Sequence, residues 1–121
     1  MMIKNEYKHS EIAAKIIGCA MKVHQRCLSI EFDREGIKYQ QEMEMPIFYD
    51  GIHVGKRRAD FLIEEKVVLE IKAVSELTDT YLAQALNYLE ALNLETGLLL
   101  NFGAKSLEIK RIVNGKKKES N

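Results

Sequence analysis

The sequence lacks several features that would assign it to a secreted, membrane or strongly basic class of protein. It has only two cysteines, too few for a disulfide framework or a zinc site, so we expect Cys19 and Cys27 to be buried free thiols in a reducing cytoplasm. No apolar run approaches membrane-spanning length and no signal-peptide pattern opens the chain, so we predict a cytoplasmic protein with no membrane partner. Eighteen basic and eighteen acidic residues cancel, which excludes a global basic field for attracting nucleic acid.

The chain does have enough apolar sequence for one folded domain. Its 121 residues are 46% hydrophobic and 30% charged, which is typical of a soluble globular domain and argues against disorder. We predict a tail over residues 1–8, a single domain over residues 9–113 and a basic tail over residues 114–121. Any contact with nucleic acid would depend on local basic patches, and the candidates are Lys56-Arg57-Arg58 and Lys116-Lys117-Lys118.

A first helix is predicted over residues 9–35. Ser10 can cap its first turn, and Gly36 is a natural C-terminal stop. Apolar residues recur every three or four positions and form one broad stripe, which we expect to face the core. This stripe comprises Ile12, Ile16, Ile17, Ala20, Met21, Val23, Cys27 and Leu28.

After Gly36 the pattern changes to the alternation of β-strands. A first strand is predicted over Tyr39–Tyr49, at an edge of the sheet because the chain's only proline, Pro46, interrupts it. Asp50-Gly51 is a strong signal for a two-residue turn into the next strand. The remaining predicted strands are residues 52–63, 67–73, 97–102 and 107–113.

A second helix is predicted from an N-cap at Thr78 to about Leu92. The order of elements is then α-β-β-β-α-β-β, which indicates an α/β or α+β domain with helices packed on a mixed β-sheet. The second helix is long enough for a crossover, so the strands on either side of it are predicted to pair in parallel.

Three charged residues occur where an ordinary buried strand would avoid them. Asp60 lies in the second strand, Glu70 and Lys72 lie in the third, and a turn at residues 64–66 joins the two strands as a hairpin. Pairing of these strands would bring the three side chains to one patch. Two carboxylates beside an ammonium group can hold a hard divalent cation and a water next to a phosphate. The alternative is a cross-strand charge pair on a solvated face.

Strand alternation also assigns the two faces of this hairpin. In the third strand, the residues predicted to point away from Glu70 and Lys72 are Val67, Leu69 and Ile71. In the second strand, the residues predicted on the face opposite to Asp60 are Ala59, Phe61 and Ile63.

Tyr81, Gln84 and Tyr88 are spaced three and four residues apart, so they share one side of the second helix. This helix directly follows the strand of Glu70 and Lys72, so a glutamine and a tyrosine on it can reach a phosphate near the predicted cation. The alternative is that the two tyrosines flank the core and Gln84 is simply exposed. The apolar stripe of the same helix is Leu82, Ala85, Leu86 and Leu89.

Asp60, then Glu70-x-Lys72, then Gln84-x-x-x-Tyr88, in this order of elements, resembles the PD-(D/E)XK nuclease superfamily. More closely, nearly the whole predicted domain resembles the GxxExxY-signature proteins, a family of small bacterial and archaeal nuclease-like domains. The stretches that carry this resemblance are residues 16–24, 30–36, 49–60, 67–74, 84–89 and 97–112.

The resemblance implies a restriction-endonuclease-like core and metal-dependent hydrolysis of phosphodiester bonds in DNA. By this resemblance, Asp60 and Glu70 would bind Mg²⁺ or Mn²⁺, helped by the backbone carbonyl of Ile71. Lys72 would orient the attacking water, and Gln84 would complete the catalytic set by positioning the substrate backbone. The substrate-binding residues that it implies are Lys56, Arg57, Arg58 and Tyr88.

The Gly-x-x-Glu-x-x-Tyr motif of those proteins is absent from this sequence. It would follow His24, where the chain instead continues directly through Gln25 and Arg26. In related nucleases its glutamate is an extra carboxylate at the metal site. Glu31 or Glu35 could replace it by position and His24 could reach the metal, and the alternative is that each is an ordinary helix residue. The other interpretation is a nuclease fold without catalysis that binds nucleic acid or another protein. Because fusing two helices can expose apolar surface for a partner to cover, we also predict a homodimer.

Overall fold

The computed structural model describes residues 10–116. His9, the predicted N-terminal tail and most of the predicted C-terminal tail, including Lys117 and Lys118, lie outside the described residues. The described chain follows the predicted order of helices and strands. These elements are α1 (Ser10–Arg34), β1 (Tyr39–Tyr49), β2 (Ile52–Ile63), β3 (Val67–Lys72), α2 (Asp79–Leu92), β4 (Thr96–Asn101) and β5 (Glu108–Val113).

The strands form one sheet in the order β1-β2-β3-β4-β5. β3 and β4 pair in parallel, as the crossover predicts, and the other neighbouring strands pair antiparallel. α1 packs on one face of this sheet, and α2, which is the crossover between β3 and β4, packs on the other. The predicted α+β architecture with a mixed sheet is therefore confirmed.

Two tight turns and the ends of both helices, including Asn93 after α2, adopt left-handed backbone conformations. Asp50 and Gly51 have φ angles of 51° and 75°, as the predicted two-residue hairpin turn requires. Glu64 and Glu65, with φ angles of 53° and 59°, form the turn between β2 and β3 although neither is a glycine. Gly36 follows the end of α1 with a φ angle of 70°, so the predicted helix stop is confirmed.

The sheet separates two apolar clusters, and β3 contributes to both. The α2-side cluster contains Ala59, Leu62, Val68 and Leu89. The α1-side cluster contains Phe61, Leu69 and Ile71, with Met21, Leu28 and Phe32 of α1 packed against it. Because β3 alternates between the two clusters, its even-numbered charged residues lie on the α2 side, as predicted.

The predicted apolar stripe of α1 was largely wrong. Ile12, Ile16 and Val23 are 56%, 63% and 59% exposed, whereas Met21 and Leu28 are the stripe residues that contact the α1-side cluster. α1 carries apolar residues on more than one side, and periodicity alone does not show which side meets the sheet. Both cysteines are free, as predicted, but exposed rather than buried. Within residues 10–116, neither helix combines the length and the apolar character needed to cross a membrane.

The alternation of β2 breaks at Asp60. Ala59 belongs to the α2-side cluster and Phe61 to the α1-side cluster, so the prediction that they share a face was wrong. In the neighbouring strand β1, Glu42 has a φ angle of 52°. Gln41 pairs with Phe61 and Met43 pairs with Ala59, so Glu42 has no partner in the ladder. Such an irregularity in one strand of a pair changes the direction of the side chains beside it.

Asn114, the first residue of the predicted basic tail, is bonded to the folded domain. It is buried, its backbone N–H donates to the carbonyl of Glu95 at 2.8 Å, and its Nδ2 donates to the carbonyl of Leu94 at 3.1 Å. The N–H of Lys116 in turn donates to Asn114 Oδ1 at 2.9 Å. These bonds attach the chain after β5 to the segment that precedes β4.

Candidate active site

β2 and β3 separate at the position of the predicted acids. Their ladder has three residue pairs and ends with the pair Phe61 and Leu69. Beyond it, the N–H of Asp60 donates to Glu70 Oε1 at 3.0 Å, and the N–H of Ile71 donates to Asp60 Oδ2 at 2.7 Å. Each strand is thus held by a carboxylate from the other, which fixes both acids where the strands diverge.

Lys72 completes a cluster that we call the acid notch (Asp60, Glu70 and Lys72). Its Nζ lies 4.0 Å from Glu70 Oε2 and 5.3 Å from the centroid of the Tyr81 ring on α2. The structure therefore brings together the three charged side chains that the sequence singles out. Since Glu70 is only 4% exposed, the cluster differs from a charge pair on a solvated face.

The charges of the acid notch are incompletely compensated. Burial, together with the neighbouring Asp60 carboxylate, raises the pKa of Glu70 to about 7. Burial also raises the pKa of Asp60, although the hydrogen bond from Ile71 and the charge of Lys72 act in the opposite direction. One ammonium group does not offset the buried Glu70 carboxylate and the half-buried Asp60 carboxylate, so the site favours binding of a proton or of a further cation.

The atoms of the acid notch are those that a hard cation prefers. The carboxylates of Asp60 and Glu70 and the backbone carbonyl of Ile71 all offer oxygen ligands. Within residues 10–116, no group of three His, Cys, Asp or Glu side chains is placed to hold a metal ion. A site with two carboxylates nevertheless suits Mg²⁺, which keeps several waters and takes phosphate oxygens from a substrate. The residues present therefore fit Mg²⁺ or the similar Mn²⁺.

One side of α2 lies along the acid notch. Tyr81 contacts the notch lysine, and the hydroxyl of Tyr88 donates to the backbone carbonyl of Arg58 at 3.2 Å. Burial and the two notch carboxylates raise the pKa of Tyr88 to about 12, so the phenol remains a hydrogen-bond donor at neutral pH. Gln84 is partly buried and lies between the two tyrosines on the same side of the helix.

The basic run at residues 56–58 divides between the two faces of β2. Lys56 and Arg58 form exposed ion pairs with acidic residues of β1, at 3.7 Å and 3.4 Å respectively. Arg57 points to the other face, where its guanidinium carbon lies 6.0 Å from the centroid of the Tyr88 ring. The three residues thus form no single basic patch, and Arg57 is the one that lies toward α2.

The residue of α1 that reaches the acid notch is Gln25, which was not among the predicted site residues. Its Nε2 donates to Asp60 Oδ1 at 3.3 Å. Gln25 lies four residues after Met21 and three residues before Leu28, on the side of α1 that packs against the sheet. This spacing was the available signal, and it was missed because another stripe of α1 is more apolar.

The three predicted substitutes for the missing glutamate have other contacts. Glu31 pairs with Arg34 at 2.8 Å on the exposed side of α1, and Glu35 is exposed beyond the helix end. His24 stacks on Phe102, with ring centroids 3.9 Å apart. Neither contact is with a carboxylate of the acid notch, and the α1 side chain that makes such a contact carries a neutral amide.

A second polar cluster, which we call the strand junction (Val74, Asn101, Gly103 and Glu108), lies at the carboxyl ends of β3 and β4. Asn101 Oδ1 accepts from the N–H groups of Val74 at 2.9 Å and Gly103 at 3.0 Å. Its Nδ2 donates to the carbonyl of Val74 at 2.8 Å and to Glu108 Oε1 at 2.7 Å. The N–H of Phe102, the residue after Asn101, donates to the carbonyl of Lys72 at 2.9 Å. The junction therefore holds the end of β3, which carries the notch lysine.

The strand junction was also not predicted, although the sequence contains a signal for it. Asn101 ends an apolar strand, and a polar residue at such a position needs hydrogen-bond partners. Gly103 completes the arrangement, because a Cβ atom there would collide with the backbone of Val74.

Comparison with solved structures supports this architecture. The crystal structure of SSO0001 is similar to the chain, with a TM-score of 0.66 and 22% sequence identity, over 92% of this chain and 59% of that one. The chain thus spans less than two thirds of that structure's length, and the likeness concerns the fold alone. No curated protein matches the chain.

The sequence profile of the PD-(D/E)XK nuclease superfamily matches residues 10–112, which include both helices and nearly all of the sheet. The match and the fold together confirm the predicted restriction-endonuclease-like core. The narrower resemblance to the GxxExxY-signature proteins stays a prediction. The chain belongs to the PD-(D/E)XK nuclease superfamily.

Proposed function

We propose that this protein hydrolyses phosphodiester bonds in DNA, with Mg²⁺ or Mn²⁺ bound at the acid notch. The observation that carries the proposal is the carboxylate pair of buried Glu70 and half-buried Asp60, whose pKa values are both raised, beside Lys72. Ionisable groups with perturbed pKa values cluster at functional sites, because catalysis and metal binding need charges that the fold alone does not balance. Membership of a nuclease superfamily supports the same chemistry.

Each residue of the acid notch has its own role in the proposed reaction. Asp60 and Glu70, with the carbonyl of Ile71, hold the cation, which when bound supplies Lewis-acid polarisation of a phosphoryl oxygen and of water. Lys72, held between Glu70 and the Tyr81 ring, orients the attacking water. The same ammonium group stabilises the negative charge that develops on the phosphate.

The substrate strand is positioned by α2 and by the β1–β2 hairpin in this proposal. Gln84 and Tyr88 lie on the side of α2 that follows the acid notch and contact the substrate backbone. Lys56 and Arg58 offer positive charge to flanking phosphates without reading sequence. Their ion pairs with β1 are exposed and worth at most about 1 kcal/mol, so a phosphate can displace them. Arg57 approaches the strand from the α2 face.

The experiment is cleavage of single- and double-stranded DNA by the purified protein with Mn²⁺. We expect Glu70→Ala to lower the rate at least about a hundredfold, because losing even a residue that only supports a metal ligand typically lowers activity by roughly 10–100-fold. Glu70→Gln keeps the side-chain shape and should lose activity equally, which separates chemistry from packing. Glu76→Ala, in the exposed segment after β3, is the matched control and should keep the wild-type rate. Equal cleavage by all four proteins would remove the proposal.

A second candidate function is nucleic-acid or protein binding by a nuclease fold without catalysis. Gln25 favours it, because a neutral amide contacts Asp60 at a place where a carboxylate would strengthen a cation site. Metal binding distinguishes the two functions. A working site should give a melting temperature that rises with free Mn²⁺, and Glu70→Ala should abolish the rise. A wild-type melting temperature that is independent of Mn²⁺ would favour the binding module.

We also propose that the protein forms a homodimer through the outer side of α1. Ile12, Ile16 and Val23 are between 56% and 63% exposed there, and contiguous apolar surface of this kind is uncommon on monomers. Ile16→Lys should convert the dimer to a monomer in sedimentation equilibrium. A wild-type protein that sediments as a monomer at high concentration would contradict the proposal.

A further inference from the structure

The reaction proposed above assigns no ligand to a cavity that Arg57 and Tyr88 line. The cavity has a volume of about 670 Å³ and lies between the β1–β2 hairpin and α2. The hairpin contributes an apolar wall made of Met45, Pro46, Ile47 and Val54. Tyr88 lines the cavity as well, and its hydroxyl donates at 3.2 Å to the carbonyl of Arg58, two residues before Asp60. A ligand in this cavity would therefore be next to the acid notch.

Arg57 lines this cavity and carries a buried hydrogen-bond donor that has no partner. Its Nη1 atom is buried and has no hydrogen-bond partner, and no other buried side-chain nitrogen or oxygen within residues 10–116 is left in this condition. A buried charged donor without an acceptor is destabilising, so such an atom calls for an acceptor from a ligand or from water. Lys56 and Arg58, on the opposite face of β2, already have acidic partners.

The charges around the cavity distinguish a nucleobase from a phosphate. Besides Arg57, the polar residues of its lining are Asn87 and Glu90. A phosphate near Arg57 would also meet the Glu90 carboxylate, which repels it, since the ion pair of Glu90 with Lys116, at 3.9 Å, is solvent-exposed and weak. The edge of a nucleobase instead carries acceptors for Arg57 and donors for Glu90, and the Asn87 amide can serve either group. The faces of a base suit the apolar hairpin wall and the Tyr88 ring.

We infer that this cavity binds one unstacked nucleobase of the substrate strand, with Arg57 donating to a carbonyl oxygen or ring nitrogen of the base. The inference rests on the proposed function, because the strand that passes the acid notch supplies the base. It assigns a substrate class, which is DNA with an unpaired nucleotide beside the scissile phosphate. A base within a duplex is stacked and paired, so it would have to leave the helix to enter the cavity.

The experiment measures binding in EDTA, so that it does not depend on cleavage. Two fluorescein-labelled strands of equal length and charge are compared by anisotropy, one with bases and one built entirely of abasic tetrahydrofuran units. The wild-type protein should bind the strand with bases about tenfold more tightly, as expected for one base held on an aromatic and apolar surface. Arg57→Met should reduce this preference to less than about threefold, because it removes the donor to the base edge.

Arg111→Met is the matched control, since it removes an exposed guanidinium from β5 at a register position on the α1 side of the sheet. It should weaken binding of both strands equally and keep the preference for bases. Arg57→Met should melt at or above the wild-type temperature, because it eliminates an unpaired buried donor. Arg57→Met should weaken binding of a blunt duplex of the same sequence no more than Arg111→Met does.

Equal binding of the two strands by the wild-type protein, or a preference that Arg57→Met leaves intact, would overturn the inference. The outcome is separable from that of the proposed function. A preference for bases without Mn²⁺-dependent cleavage would keep the cavity assignment and remove the hydrolysis. Cleavage without a preference for bases would keep the hydrolysis and remove the cavity assignment.

Discussion

The acid notch and the strand junction are two places where polar side chains replace the hydrogen bonds of a strand ladder, and they differ in how far those side chains are satisfied. Asn101 is fully buried, and its amide makes four hydrogen bonds, which is its complete capacity of two donors and two acceptors. Asp60 and Glu70 each accept a backbone hydrogen bond but keep lone pairs and raised pKa values.

This difference indicates which cluster is built for stability and which for a ligand. A neutral, saturated amide gains nothing from a cation or a proton, so the Asn101 amide holds β3 and β4 in place with or without a metal. Two crowded carboxylates gain free energy from either one, so the acid notch responds to pH and to metal. The two clusters are linked through Lys72. Its side chain belongs to the acid notch, and its carbonyl accepts a hydrogen bond from the N–H of Phe102, next to Asn101 of the strand junction.

Asn101→Ala should have the largest effect on stability and should sharpen the comparison. It leaves the N–H groups of Val74 and Gly103 without their acceptor in a buried site, and each unpaired buried group costs roughly 1–3 kcal/mol. We expect the free energy of unfolding, measured by urea denaturation, to fall by about 4 kcal/mol and by the same amount at pH 5 and pH 8.

Asn114→Ala is the control for this substitution. Asn114 is also buried, but its amide makes two of the observed hydrogen bonds rather than four. It should lower the free energy of unfolding by about half as much. If the two variants are equally stable, saturation of the Asn101 amide is not what holds the junction.

Glu70→Gln should alter the pH dependence of stability. The folded protein raises the pKa of Glu70 from 4.5 to about 7, so between these values the folded state holds a proton that the unfolded chain releases. This contribution to the free energy of unfolding is present below pH 4.5, is lost as the pH rises through 7, and amounts to about 3 kcal/mol. Metal-free wild-type protein should therefore lose stability between pH 5 and pH 8, and Glu70→Gln should lose much less.

The difference between the two curves isolates Glu70, because every other ionisable group is present in both proteins. Added Mn²⁺ should restore stability to the wild-type protein at pH 8 and leave Glu70→Gln unchanged. Parallel curves for the two proteins would mean that the acid notch is as well compensated as the strand junction, and the contrast between them would fail.

Most of the fold could be predicted from the sequence because its signals are local. The turn at Asp50-Gly51, the stop at Gly36 and the alternation of β3 each depend on neighbouring residues alone. The register of β2 could not be predicted, because the left-handed conformation of Glu42 has no sequence signal at a residue other than glycine, asparagine or aspartate. That conformation separates Ala59 from Phe61 and accompanies the opening at Asp60.

The candidate site was only half predictable for a related reason. Asp60, Glu70 and Lys72 come from adjacent strands, and their convergence follows from hairpin pairing. Gln25 joins them through the packing of α1, and choosing its buried side requires knowing which residues meet the sheet. Asn101 resembles any polar residue that ends a strand until its partners across the junction are seen.

Gln25→Glu should have the smallest effect and should test whether α1 belongs to the acid notch. It replaces a long hydrogen bond to Asp60, 3.3 Å, by a third carboxylate. Without metal the added like charge should destabilise the fold slightly. With Mn²⁺ the extra oxygen ligand should tighten binding about tenfold, or about 1.4 kcal/mol, in calorimetric titration. Gln40→Glu adds the same charge at an exposed position of β1 and should leave the affinity unchanged. Equal Mn²⁺ affinity in the two variants would mean that only β2 and β3 contribute to the acid notch. The comparison with the strand junction would then be one between strand ends, without a contribution from α1.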